Sequence, residues 1–260
     1  MRVINLDRLQ LPEHWQDRAD AAIADEQDKI NDHSDVWRDL KDPLKELSND
    51  KCYYCEVIQE RADGAVDHFR PKKNYPWSAF SSTNYRFACT FCNSRRTDKK
   101  TKRTGGKGEN FPLFDETKRA NCCGDEADES PILLDPCNPN EPGLIDFDET
   151  GAPMPAFSEA EHIGKNKRAT VSIDLYHLDH ADLVDKRKIL AVKIAREVKV
   201  ADRLFPQTES GDANIDASFR EHIRFLADCA NERAELSAFA RRILAGYRNL
   251  SWVDGLLASI

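Results

Sequence analysis

Two Cys-x-x-Cys pairs, Cys52/Cys55 and Cys89/Cys92, enclose an adjacent Asp67-His68, and Asn93 follows the last cysteine. Each short pair can aim two thiolates at one tetrahedral ion, so the four together have the spacing of a zinc site. With all four positions filled by sulfur, no coordination site stays open for water, and the expected zinc is structural. The loop it would close carries a carboxylate and an imidazole side by side, with an amide just beyond the last ligand. Asp67 and Asn93 offer oxygen donors suited to a hard cation such as magnesium or manganese. His68 offers a proton acceptor near neutral pH.

The surroundings are cationic. Residues 52–110 carry 12 basic and 6 acidic side chains, whereas the whole chain has a net charge of −8. Arg70, Lys72 and Lys73 follow the Asp-His pair. The tract Arg86, Arg95, Arg96, Lys99, Lys100, Lys102, Arg103 and Lys107 includes Asp98 as its one opposing charge. Arg70, Lys72, Arg95 and Arg96 are therefore read as phosphate-binding residues, and a nucleic acid as the partner. Asn84 is placed to tie the intervening loop through side-chain to backbone hydrogen bonds. Tyr53, Tyr54, Tyr75, Phe80 and Tyr85 suit packing of a small core, and Trp77 is left open between packing and base stacking.

At these residues the chain resembles the HNH, or ββα-metal, endonucleases, whose order of CxxC, Asp-His, a middle Asn and CxxC followed by Asn is matched by Cys52–Cys55, Asp67-His68, Asn84 and Cys89–Asn93. The resemblance implies His68 as general base, Asp67 and Asn93 as ligands of a catalytic magnesium or manganese ion, Asn84 as the loop-ordering residue and DNA as substrate. A wider likeness runs through VDHFRPK (66–72), YRFACTFCNSRR (85–96), FPLF (111–114), PILLDPCNP (131–139) and RATVSIDLYHLD (168–179). These segments are similar to the PtuB-type HNH effectors of Septu and retron-associated anti-phage systems, which implies an ATPase partner.

The elements that must position these groups give an α+β fold: a small zinc-stapled ββα-metal core embedded in a mainly helical chain. Apolar residues at helical intervals predict helix over 12–47, with Pro12 in the first turn, Ser34 as a second cap and Pro43 as a break. Residues 1–50 are read as an N-terminal helical arm with an acidic outer face, suited to docking a partner. Residues 51–110 form the zinc and nuclease core: short strands at Ala65–Phe69 and Tyr85–Ala88, a helix from about Thr90 to Lys100, and a mobile Gly- and Lys-rich loop over 101–110. Residues 111–164 read as irregular, with a hairpin at Glu149-Thr150-Gly151. Residues 165–260 are helical: a short helix over 168–178, a long one over 181–205 and a last region over 217–247.

The composition, 40% hydrophobic and 32% charged, suits a folded, charge-rich protein. No apolar run approaches the roughly 20 residues of a membrane span, and no secretory signal is read at the start, so a cytoplasmic protein with reduced thiols is expected. Cys122, Cys123, Cys137 and Cys229 are read as structural or incidental. Two other readings remain open at this level: a non-catalytic zinc module that binds nucleic acid, and a stand-alone restriction-type nuclease.

Overall fold

The computed structural model describes residues 1–24, 27–59 and 63–260. Residues 25–26 of the expected helical arm and 60–62 of the expected core lie outside them. The chain forms two compact units, Met1–Ile145 with Met154–His180, and Asp146–Pro153 with Ala181–Ile260.

In the first unit, α1 (Trp15–Ala24), α2 (Ser34–Arg38) and α3 (Lys41–Leu47) make up the arm. The first helix starts at Trp15 and not at Pro12, because His14 takes a left-handed conformation (φ 58°) that a helix does not admit. His33, not Ser34, occupies the cap of α2. Pro43 lies in the first turn of α3, where its missing N–H costs nothing, and the break falls at Asp39–Leu40. The apolar face is buried: Trp15, Ala19, Val36, Trp37, Leu40 and Leu44 share one core with Tyr53, Phe80, Tyr85 and Phe87. Two buried hydrogen bonds fix this packing, from Trp15 Nε1 to the Val36 carbonyl (2.7 Å) and from the Tyr53 hydroxyl to the Leu44 carbonyl (2.8 Å).

The arm packs on an antiparallel pair, β1 (Ala65–His68) and β2 (Tyr85–Ala88), in the register Asp67 opposite Arg86 and His68 opposite Tyr85. One helical turn follows, α4 (Thr90–Asn93), and the helix expected to Lys100 stops there. The chain turns at Ser94 and pairs β3 (Arg96–Thr97) with β4 (Thr104–Gly105), the turn held by Asp98, whose carboxylate accepts from the Lys100 and Thr101 N–H groups. The stretch expected to be a mobile loop is thereby anchored. A Cβ at Gly106 (φ 100°) would stand 2.1 Å from the Ser94 carbonyl oxygen, so only glycine lets these two backbones meet.

A hairpin, β5 (Ile145–Phe147) and β6 (Pro153–Pro155), turns through Gly151 as expected. The helix expected at 168–178 is longer: α5 (Glu159–Leu175) begins at a Ser158/Glu161 capping box. Its Ser172 hydroxyl accepts from the Leu134 N–H (2.8 Å), and the following Tyr176 donates to the Leu134 carbonyl (2.8 Å).

The second unit packs α6 (Ala181–Leu204), α7 (Ala213–Ala230), α8 (Ser237–Ala245) and α9 (Ser251–Ser259) around Ile194, Val198, Leu226, Leu244 and Val253. The helical region expected over 217–247 comprises α7 and α8, with Leu236 in a left-handed conformation (φ 57°) just before α8. Among the described residues, no helix is long and apolar enough to cross a membrane.

Leu40 is fully buried between arm and sheet. Leu40→Ala should lower the unfolding free energy of the first unit by about 2–5 kcal/mol, the usual cost of a large-to-small change in a core. Urea denaturation measures it; a change within error would mean that the arm does not belong to this core.

Candidate functional site

The four cysteines Cys52, Cys55, Cys89 and Cys92 come together at one buried point, their sulfurs all within 4.8 Å of one another. Cys55 and Cys89 Sγ lie 3.8 Å apart, the edge length of about 3.8 Å that a tetrahedron with 2.3 Å Zn–S bonds requires. Each pair sits on its own turn. The first closes through Glu56 (φ 63°), whose N–H bonds to the Cys52 carbonyl; in the second, Cys89 caps α4 and its sulfur accepts from the Cys92 N–H. Hydrogen bonds from Cys52 and Cys55 hold the Cys89 thiol far below its usual range, while burial pushes Cys92 up. Such a crowded, uneven set of thiols is what a soft divalent ion relieves by taking all four as thiolates. The donor set fits zinc.

The two pairs are joined through the sheet. The Tyr53 N–H bonds to the Phe87 carbonyl, so the first knuckle lies on β2. Asp67 and His68, as neighbours on β1, face different surroundings. Asp67 is buried; its Oδ2 accepts from the Tyr54 hydroxyl (2.6 Å) and its Oδ1 from Lys107 Nζ (2.9 Å). His68 is enclosed edge-on by Trp37 and Tyr85, each with ring centroids 5.1 Å away. Its Nε2 lies 2.9 Å from the Ala79 carbonyl. A carbonyl only accepts, so Nε2 carries the proton and Nδ1 is the basic nitrogen. Burial lowers the His68 pKa to about 4, outweighing the Ala79 hydrogen bond and the Asp67 charge, which raise it.

Asp67, His68 and Asn93 line one cavity of about 270 Å³, together with Lys72, Lys73 and Glu109. Each Asp67 oxygen carries one hydrogen bond and keeps a lone pair. With the Asn93 amide on the same cavity, the donors suit a hard cation. Asn84 stands behind the site. Its amide donates to the Arg70 carbonyl (2.9 Å) and the Ser78 carbonyl (3.2 Å), and its Oδ1 accepts from the Arg70 N–H (2.8 Å), which fastens the loop from β1 to β2.

The cationic residues divide. Lys72 lines the cavity with its ammonium 4.5 Å from the Trp37 ring centroid, and burial lowers its pKa. Arg70 is instead paired with Glu129 (2.9 Å), whose other oxygen accepts from the Tyr75 hydroxyl (2.7 Å), so its guanidinium serves the fold. Arg95 and Arg96 are exposed and outside the cavity lining, with Arg96 over the Phe91 ring. Two members of the basic tract are core groups: Arg86, forked onto Asp135 (2.8 and 2.6 Å), and Lys107, which is fully buried. Trp77 donates to Glu126, which favours the packing role.

Sequence reasoning missed Lys107, Tyr54 and Trp37 as parts of the site. The signal for Lys107 was its setting in GGKGEN: glycines on both sides let the loop lie against the second knuckle, with hydrogen bonds from the Lys107 N–H to the Cys92 carbonyl (2.8 Å) and from the Gly108 N–H to the Asn93 carbonyl (2.6 Å). Tyr54 occupies the middle of its knuckle and stacks on Tyr176, centroids 4.0 Å apart. Nothing local marks Trp37, which reaches His68 from a separate helix.

Elemental analysis of the purified chain should find one zinc per chain. Cys92→Ser should lose it and melt the first unit, because the roughly 10–16 kcal/mol of zinc binding is also folding energy. A folded, zinc-free Cys92→Ser chain would show that the thiols need no metal.

No family model matches the chain. It is 31% identical over 180 residues, 64% of its length, to the Septu protein PtuB of Bacillus mycoides (strain KBAB4), and 25% identical over 205 residues, 77% of its length, to the Septu protein PtuB of Bacillus thuringiensis. The matched regions make up 55% and 64% of those proteins, so the chain spans between about half and two thirds of the relatives' length. This chain is similar to Septu proteins PtuB.

Proposed function

We propose that the chain is a metal-dependent HNH endonuclease that hydrolyses DNA phosphodiester bonds as the nuclease of an anti-phage defence assembly with an ATPase. The observation that carries this reading is the single cavity lined by Asp67, His68 and Asn93, with His68 held neutral and its proton fixed on Nε2. The zinc-type thiol cluster, the order of the motif and the similarity to Septu proteins support it.

In this mechanism His68 Nδ1 takes a proton from water as the water oxygen attacks the phosphorus in line. The bond from phosphorus to the 3′ oxygen breaks, giving 5′-phosphate and 3′-hydroxyl ends. General base catalysis of this kind contributes roughly 10²–10⁴-fold. The Ala79 carbonyl keeps the tautomer, and the Trp37 and Tyr85 rings keep the imidazole from rotating. Lys72 supplies charge to a neighbouring phosphate from within the cavity. Asp67 and Asn93 would hold a magnesium or manganese ion through their side-chain oxygens, and such an ion would supply charge stabilisation to the scissile phosphate.

Purified wild-type chain should nick plasmid DNA with magnesium or manganese and stop with EDTA, and His68→Ala should lose activity by at least about 10²-fold with its zinc and fold intact. Cutting by His68→Ala at the wild-type rate would remove the imidazole from the mechanism. A second measurement uses pH. Above the His68 pKa the base is neutral and active, so kcat/KM, which reports the free enzyme, should fall on acidification through about pH 4 and not through the ordinary histidine value near 6.5. The acid limb of kcat should lie higher, since a bound phosphodiester favours the imidazolium. An acid limb of kcat/KM at 6.5 would place the base in water. Co-purification of the chain with an ATPase tests the assembly.

A further inference from the structure

Lys107 is a fully buried ammonium that the mechanism above does not use. It lies 2.9 Å from Asp67 Oδ1 and donates to the His68 carbonyl (2.6 Å), bridging the two residues of the dyad from behind. It cannot swing away cheaply. The flanking backbone is bonded to the Cys92 and Asn93 carbonyls, and the Lys107 carbonyl accepts from Asn110 Nδ2 (2.7 Å). The loop is pressed on the knuckle at Gly106, where no side chain fits.

This fixes the charge that an incoming group meets. The carboxylate expected to hold a divalent cation already has a cationic partner. The second carboxylate of the cavity, Glu109, lies 3.4 Å from the Lys73 ammonium. Burial and the nearby Arg38 disfavour the charge of Lys72, against the attraction of Glu109, which it shares with Lys73. Three ammonium groups thus face two carboxylates, and the site has a net positive charge before any metal arrives. A site so charged attracts a phosphodiester and resists a lone divalent cation.

We infer that Lys107 makes this an anion-first site: the nucleic-acid phosphate enters before the divalent metal, and supplies the negative charge and the remaining oxygen that let Asp67 and Asn93 hold the cation. The inference rests on the proposed nuclease reading and specifies its order of assembly. Phosphate and metal binding are then reciprocally coupled: each tightens the other by the same factor. The free chain is kept from acquiring a loaded metal centre until a backbone phosphate occupies it.

The test is Mn²⁺ binding followed by electron paramagnetic resonance on the His68→Ala chain, with zinc in place, with and without a short DNA duplex. Manganese should bind weakly to the free chain and at least tenfold more tightly with the duplex present. In the same background Lys107→Met should bind manganese more tightly than its parent without DNA and gain less from the duplex, while Lys107→Arg, which keeps a cation there, should behave as the parent. Equal affinity with and without DNA overturns the inference, whether or not the Lys107→Met chain folds. So does a folded Lys107→Met chain that loses manganese. Plasmid cleavage by the wild type is scored separately. A chain that cuts DNA but binds manganese indifferently loses the ordering and keeps the nuclease. A chain whose manganese binding depends on DNA but which never cuts keeps the ordering and loses the nuclease.

Discussion

Everything in the first unit depends on bringing four thiols to one point. Cys55 and Cys89 are separated by 33 residues, and their meeting closes that stretch into a loop. Closing such a loop costs entropy that the short β1–β2 pair alone is poorly equipped to offset. A metal held by the cluster would offset it at one place. The knuckles then act as two handles: one is bonded to β2 through Tyr53, and the other leads into α4 and Asn93. The carboxylate, imidazole and amide meet because the sulfurs do. Tyr54 and Lys107, one from within a knuckle and one from the loop laid on the other, carry that constraint directly to Asp67.

The residues that gather at the candidate site were more legible in the sequence than the architecture around them. The CxxC spacing and the Asp-His pair are local features, and the sulfurs, Asp67, His68 and Asn93 indeed gather within one unit. The strands at 65–68 and 85–88, the hairpin at Gly151 and the long helix from Ala181 were also readable from period and turn residues. What failed was decided by distant contacts. The basic run after Cys92 has the propensity of a helix and the composition of a solvated tract, but tertiary pairing draws it into a hairpin and buries its last lysine. Arg70 read as a phosphate ligand, and Arg86 as part of a basic tract, because their acidic partners, Glu129 and Asp135, lie about fifty or more residues further along. Composition registers cations without showing which are already neutralised.

The same distinction changes how the charge of this chain is understood. An excess of lysine and arginine in the central segment suggested a broad electropositive face. Several of those groups are buried or already paired: Arg86 and Lys107 are buried, Arg70 is turned to Glu129, and the exposed Arg103 is paired with Asp174 and Asp179. The charge offered at the cavity comes mainly from Lys72 and Lys73. The cationic character of the site is therefore narrow, set by two side chains at one opening and by Lys107 behind Asp67.

Trp37 closes the picture from the opposite side. It comes from the arm, yet its ring is both a wall for His68 and a surface for the Lys72 ammonium. By excluding water from these two groups it does to their proton affinities what a change of solvent would do. The arm is thus part of the dielectric of the site as well as of its scaffold. Lifting it would leave every polar contact of Asp67 in place and still expose one face of the imidazole to water, so the basicity of this histidine depends in part on a helix that contributes no polar group to it.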